Sequence, residues 1–221
     1  MKKHIYKIIP VLFVIFFSCQ EDSTEGVSRI TYYNDIELIG DADYIVEQGT
    51  AFVDPGAIAS ENEEDVSENI EVVGSVDHTT VGHYPISYNI KNVDGFAKSI
   101  TRNVFVLPTT RSKSEMYVGT YTGVVSNGTH ADATVISHLG NGLYFADDFI
   151  GGRYTIGRGL PPNYKISAYF YVTGDGTNYE ALLTDSPWGP WGVIDTSLSG
   201  TTFDHDVQNG TFVTFVTLNK Q

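Results

Sequence analysis

From Ile30 onward, apolar and polar residues alternate at period two and no long stretch repeats at helical spacing, so the chain must build its core from strands. The alternating runs are punctuated by Asn92-Val93-Asp94-Gly95, Asn127-Gly128, Asn141-Gly142, Gly174-Asp175-Gly176 and Asn209-Gly210. Asn-Gly and Asp-Gly pairs supply the positive φ that tight hairpins need, which makes the flanking runs antiparallel neighbours. The only cysteine is Cys19, so no internal disulfide can brace these strands. Stability must come from apolar burial, and about two hundred residues rich in Tyr, Phe, Val, Ile, Thr and Gly suffice for two small β domains. The fold class expected is all-β.

Residues 30–107 form the first domain. Asp43 to Thr50, Phe52 to Ala57, Ile70 to Asp77, Gly82 to Tyr88 and Arg102 to Val106 follow in order, and this series resembles the bacterial surface immunoglobulin-like domains related to the hyalin-repeat fold. The resemblance implies an open sandwich of about seven strands. Pro55-Gly56 and the acidic stretch Glu61 to Asp65 fall in loops, where a charge run is a solvated face. Residues 108–114 (PTTRSKS) lack apolar periodicity and read as a solvated linker between domains.

Residues 115–221 form the second domain. Its hairpin signals imply a meander that closes as a second antiparallel β-barrel or lies as a flattened β-sandwich. Tyr117 to Gly123 resembles the first strand of lipocalin-like surface domains that follow immunoglobulin-like modules in bacteroidete lipoproteins, with Thr211 to Leu218 as the closing strand; a jelly roll is the alternative.

The N-terminal stretch gives an address. Lys2, Lys3 and Lys7 precede the apolar run Ile8 to Phe17, which is too short to span a bilayer permanently and reads as a secretory signal, residues 1–18. Ser18-Cys19 resembles a lipobox, so Cys19 is the expected lipidation site, and Gln20-Glu21-Asp22 resembles the signal that sends bacteroidete-type lipoproteins to the outer face of the outer membrane. Residues 19–29 are expected as a tether. Removing residues 1–18, which hold three lysines and no acid, takes the net charge from −14 to −17. A chain this acidic repels phosphate backbones and anionic headgroups, which excludes nucleic acid and leaves the lipid anchor as the only expected membrane attachment.

Four aromatic residues are the candidate ligand contacts. In Lys165 to Val172, Ile166, Ala168, Phe170 and Val172 share one face and Lys165, Ser167, Tyr169 and Tyr171 the other. Tyr169 and Tyr171 offer apolar rings with hydroxyl handles, suited to stacking on a sugar or to lining a domain interface. Trp188 and Trp191 lie in Ser186-Pro187-Trp188-Gly189-Pro190-Trp191-Gly192, where Pro and Gly forbid strand pairing and display the indoles from a loop. Trp191 reads equally as a plug for a small barrel, and Trp188 as exposed.

No catalytic site is expected. Asp147-Asp148 and Asp204-His205-Asp206 read as solvated strand ends, since adjacent strand residues point to opposite faces and hydrolysis needs two facing carboxylates. There is no spaced calcium loop, and His78, His83, His130, His138 and His205 lack ligand spacing, so neither metal nor cofactor is expected. The resemblance implies a surface lipoprotein that captures glycans for an outer-membrane transporter complex. The alternatives are a structural module of that complex without glycan affinity, and a lipocalin-like carrier of an apolar ligand.

Overall fold

The computed structural model describes residues 30–221. Among them the strands run in chain order as β1 (Asn34–Leu38), β2 (Asp43–Glu47), β3 (Ala57–Glu61), β4 (Glu64–Asp65), β5 (Glu71–Val73), β6 (Gly82–Lys91), β7 (Ala97–Leu107), β8 (Gly119–Val125), β9 (Gly128–Gly140), β10 (Leu143–Ala146), β11 (Ser167–Val172), β12 (Tyr179–Asp185), β13 (Gly192–Ser199), β14 (Thr202–Asn209) and β15 (Phe212–Lys220). Cys19, the signal and the tether lie outside the described residues.

The first seven strands form the immunoglobulin-like sandwich, with sheets β1-β3-β4 and β2-β7-β6-β5 and only β2–β7 parallel. The β6–β7 hairpin closes where the sequence places it: the Asn92 carboxamide oxygen accepts from the backbone N–H of Asp94 and Phe96, and Gly95 takes φ +87°. Ile36, Val46, Ile86, Tyr88, Ile90, Val104 and Val106 fill the core. Arg102 lies fully buried among them, which alternation alone does not predict. Its guanidinium meets the Asp54 carboxylate at 3.0 Å and donates to the carbonyls of Ile39 (2.7 Å) and Gly56 (3.1 Å), while the Tyr88 hydroxyl donates to the same carboxylate at 2.5 Å. Burying a charge is tolerated because it is paired and hydrogen-bonded.

The remaining eight strands form one antiparallel sheet, ordered β12-β11-β10-β9-β8-β15-β14-β13. Its first strand pairs with its last, Val125 opposite Val216, and the sheet curls into a nearly closed barrel rather than a flattened sandwich or jelly roll. Consecutive strands β12 and β13 meet at the incomplete seam, fastened by the Leu198 N–H to the Thr177 carbonyl at 3.0 Å. Asn141 and Gly142 take φ +47° and +82° in the two-residue β9–β10 hairpin, the conformation that the Asn-Gly pair favours. The inward face of β11 is the one the sequence pattern assigns: Ile166, Ala168, Phe170 and Val172 are all fully buried. Phe203 sits at the centre with Tyr117, Tyr121, Phe170 and Tyr179 around it at ring separations of 5.0 to 5.9 Å. These rings occupy the space in which a carrier would hold an apolar ligand.

The two modules share a third apolar cluster. Phe105 and Leu107, on the outer face of β7, pack against Leu143 and Tyr171 on the outer wall of the barrel. Arg111 is only 8% exposed, so residues 108–114 are not the wholly solvated joint that their composition implies. Its Nε donates to the Asn141 carbonyl at 2.5 Å, Nη1 donates to the Pro108 carbonyl, and the guanidinium reaches the Glu47 carboxylate of β2 at 3.4 Å. One cation of this segment therefore ties both modules to the chain that joins them.

Candidate functional site

One end of the barrel gathers the β8–β9, β10–β11, β12–β13 and β14–β15 connections. Most are tight, but β10–β11 runs from residue 147 to residue 166 and folds inward as a plug. Phe149 to Tyr154 are all buried. The plug seats because two glycines meet: a Cβ on Gly123 of β8 would lie 2.4 Å from the Gly151 carbonyl oxygen, closer than atoms pack. Deeper in, Phe149 stacks on His205 at 4.2 Å, and its carbonyl accepts from His205 Nε2 at 2.7 Å. His205 Nδ1 lies 2.7 Å from the Tyr179 hydroxyl. Burial lowers the His205 pKa to about 4, so the ring is neutral and Nε2 keeps the proton it donates.

Asp148 is also fully buried, and burial raises its pKa to about 6. Thr155 donates to its Oδ2 at 3.2 Å, while Oδ1 has no hydrogen-bond partner. Neither Asp148 nor His205 is the solvated strand-end residue expected from sequence. Asp148 became interior when the 147–166 connection turned into the barrel, whereas His205 shares the inward face of β14 with Phe203 and Val207. Asp147 points the other way, to the Lys165 ammonium and the Val135 N–H, and Asp204 accepts from the Thr217 hydroxyl at 2.6 Å. Among the described residues no group of three or more His, Cys, Asp and Glu side chains is placed to hold a metal ion.

The tryptophan loop crosses the same end. Ser186 shapes it: its hydroxyl accepts from the Trp188 N–H at 3.1 Å and donates to the Gly189 carbonyl at 2.8 Å, with Gly189 at φ +86°. Trp191 goes inward, 8% exposed, edge-on to Phe212 at 5.6 Å, with its backbone held on both sides by the Thr184 hydroxyl at 2.7 Å. It is the plug of the two readings, and its indole Nε1 is buried without an acceptor. Trp188 goes outward, 44% exposed, its ring braced by Tyr154 at 4.9 Å and Tyr164 at 5.4 Å. Arg158 lies over the Tyr154 ring at 5.1 Å, and Arg153 sits beneath the surface over Phe212 at 5.2 Å.

Tyr169 and Tyr171 do not join the tryptophans. Tyr171 is 5% exposed within the cluster between modules, so it has no free ring face. Tyr169 stacks on Phe105 at 4.8 Å and its hydroxyl donates to Asp43 at 3.2 Å, leaving one edge on a groove of about 520 Å³ lined by His83, Asn103, Phe145 and Asp185. Alternation correctly put the pair on the outer face of β11, but the cover supplied by β7 is tertiary. Burial and the Asp43 carboxylate raise the Tyr169 phenol to about 12. Sequence reasoning also missed Tyr154, Tyr164 and Arg153. The available signal was length, because a twenty-residue connection inside a compact barrel is seldom idle.

Fold and site together define an all-β, two-domain class of protein: a sandwich joined to a filled barrel whose loop end carries aromatic rings. Two family models match in that order, a bacterial surface protein Ig-like domain over residues 36–106 and a "-like, C-terminal domain" over residues 110–220. The second match covers half of the chain, which therefore belongs to the family of bacterial surface proteins in which an Ig-like domain precedes this C-terminal domain. Among solved structures, the lipoprotein BT2262 from Bacteroides thetaiotaomicron is similar, 30% identical, with 86% of this chain and 100% of that chain covered and a TM-score of 0.46. No curated protein matches.

Proposed function

We propose that the chain is a non-catalytic surface lipoprotein, anchored through Cys19 in the outer membrane and facing the exterior, that captures glycan at the loop end of its barrel for a transporter complex. The observation that carries this reading is Trp188: a large indole 44% exposed, held out of the sheet by its loop and propped by two tyrosines. A braced aromatic face stacks on sugar C–H surfaces at little cost in ordering. The similar Bacteroides protein is described as a lipoprotein, which supports anchoring by lipid. Affinity electrophoresis against a polysaccharide panel tests the reading. Trp188→Ala should weaken retention by about ten- to a hundredfold, the equivalent of about 1–3 kcal/mol. Retention unchanged in that variant, or none by any polysaccharide, removes the glycan role.

A second reading, docking within a transporter complex without glycan affinity, is favoured by the outer wall of the barrel. Val213 (50% exposed) and Phe215 (57%) on β15 lie beside Val124 of the neighbouring strand β8 (37%). Phe215→Glu would then abolish co-purification with the transporter while leaving polysaccharide retention intact.

A further inference from the structure

The plug loop carries a buried cation with no counter-ion. Of the four described arginines, Arg102 and Arg111 face carboxylates at 3.0 and 3.4 Å, whereas Arg153 and Arg158 pair with none. Arg153 is 8% exposed, more than nine-tenths buried. Its Nη1 donates to the hydroxyls of Ser126 and Thr214, the latter at 3.4 Å, and the Phe212 ring lies below, all of them neutral groups. Nε is buried with no acceptor, and Nη2 makes no hydrogen bond with any described residue. Nε is sealed within the protein, so the accessible unbonded donor of the guanidinium is Nη2, whose N–H groups can meet an oxygen of a carboxylate or sulfate. Burying a guanidinium against hydroxyls alone is costly, and an arriving anion offsets that cost. Of the two carboxylates on this connection, Asp147 is paired with Lys165, and Asp148 makes no ion pair with Arg153.

We infer that this end of the barrel binds an anionic group of its ligand at Arg153, with Arg158 at the rim, so that the glycan it takes is an acidic one bearing a carboxylate or a sulfate. The inference rests on the glycan reading of Trp188 and adds a charge requirement to it. The rings link the two: Arg158 covers Tyr154, which lies 4.9 Å from Trp188. The net charge of −14 repels anions at long range, so any acidic ligand must be recognised locally.

Calorimetric titration with paired probes tests this. Trigalacturonate against its methyl ester isolates the carboxylate, and galactose 6-sulfate against galactose isolates the sulfate; preference in one arm alone names the source. The acidic member of at least one pair should bind about tenfold more tightly, less so in 0.5 M salt. Arg158→Gln, at an exposed position, should reduce that preference, and Arg153→Gln should abolish it. If Arg153→Gln melts early, Arg153→Lys decides, because it keeps the charge and loses the Nη2 donor. Equal binding of acidic and neutral members, or preference that survives both arginine changes, overturns the inference while Trp188-dependent binding of the neutral sugars keeps the glycan site. Arginine-dependent preference unaffected by Trp188→Ala keeps the anion site and removes Trp188 from it. No binding of any of the four probes overturns the anion site, while retention by the polysaccharide panel decides the glycan site separately.

Discussion

Phe105 of β7 and Tyr169 of β11 lie nearly parallel, ring centroids 4.8 Å apart and planes 23° from each other, across the boundary between sandwich and barrel. Around them Leu107, Leu143 and Tyr171 are also buried, so the boundary is a small core in its own right. Residues that a sandwich strand would expose to solvent are apolar here because a barrel wall covers them.

The two modules should therefore unfold together. Denaturation followed by tryptophan fluorescence, which reports the barrel, and by amide exchange in β6 and β7, which reports the sandwich, should give coincident transitions. Phe105→Ala should cost about 3–5 kcal/mol, as for other fully buried rings, and lower both signals. Two separate transitions in the unaltered protein would show the boundary to be weak.

The two tryptophans should behave as opposites. Trp191→Ala removes a buried ring and should destabilise by about 3–5 kcal/mol, whereas Trp188→Ala loses a half-exposed one and should cost about 1 kcal/mol. Thermal melts of both variants check this, and equal losses would contradict the inward and outward assignments.

Two buried groups give the stability opposite pH dependences in one window. The Asp148 pKa is raised from 3.8 to about 6, so its stabilising contribution is full below 3.8 and is lost as pH rises through 6. The His205 pKa is lowered from 6.5 to about 4, so its contribution is full above 6.5 and is lost as pH falls through 4. Each amounts to about 3 kcal/mol and they oppose each other between pH 4 and 6.5, which flattens the profile. Asp148→Asn should unmask the histidine: the variant gains stability at pH 7 and loses it steadily on acidification. A melting profile parallel to that of the unaltered protein would mean that Asp148 does not titrate in this range.

Seating of the plug should be sensitive to a single methyl group. Gly123→Ala puts a Cβ 2.4 Å from the Gly151 carbonyl oxygen, and backbone cannot yield as a side-chain tip can. A loss of about 1–3 kcal/mol is expected, together with faster exchange at the Phe149 and Gly151 amides. Normal stability would show that the loop has another way in.

Lipidation can be checked directly. Cys19→Ser should abolish incorporation of labelled acyl chains and release the protein from membranes, since the lipid is the proposed anchor. Membrane association that persists would refute the anchor.

Hairpins and strand faces were legible in the sequence because they are local. Asn141-Gly142 sets its own dihedrals, and Ile166, Ala168, Phe170 and Val172 declare their face by spacing alone. What could not be read depends on partners far along the chain. Arg102 looks like a surface residue until Asp54 is brought to it, and Tyr171 looks displayed until Phe105 and Leu107 cover it. Asp148 was misread for the same reason. A polar residue at the start of a long connection is solvated by default, and only the inward turn at Gly151 makes Asp148 interior; His205 alternates with Phe203 and Val207, so its inward face was legible by spacing. Of the candidate contacts, the Pro and Gly residues around Trp188 did mark its loop, whereas nothing local distinguished Trp191 as buried.

The pairing of β8 with β15 also sets the order of assembly. Each of the other rungs of the barrel joins consecutive strands, but this one joins the first strand to the last, with Val125 waiting for Val216. Bridging so long a stretch is entropically slow. A nascent chain short of β15 leaves β8 without one of its two neighbours and the Phe203 ring cluster open on that side. Commitment to the native state therefore comes late, when the final strand arrives, and a ragged C-terminus would be felt at the opposite end of the domain sequence.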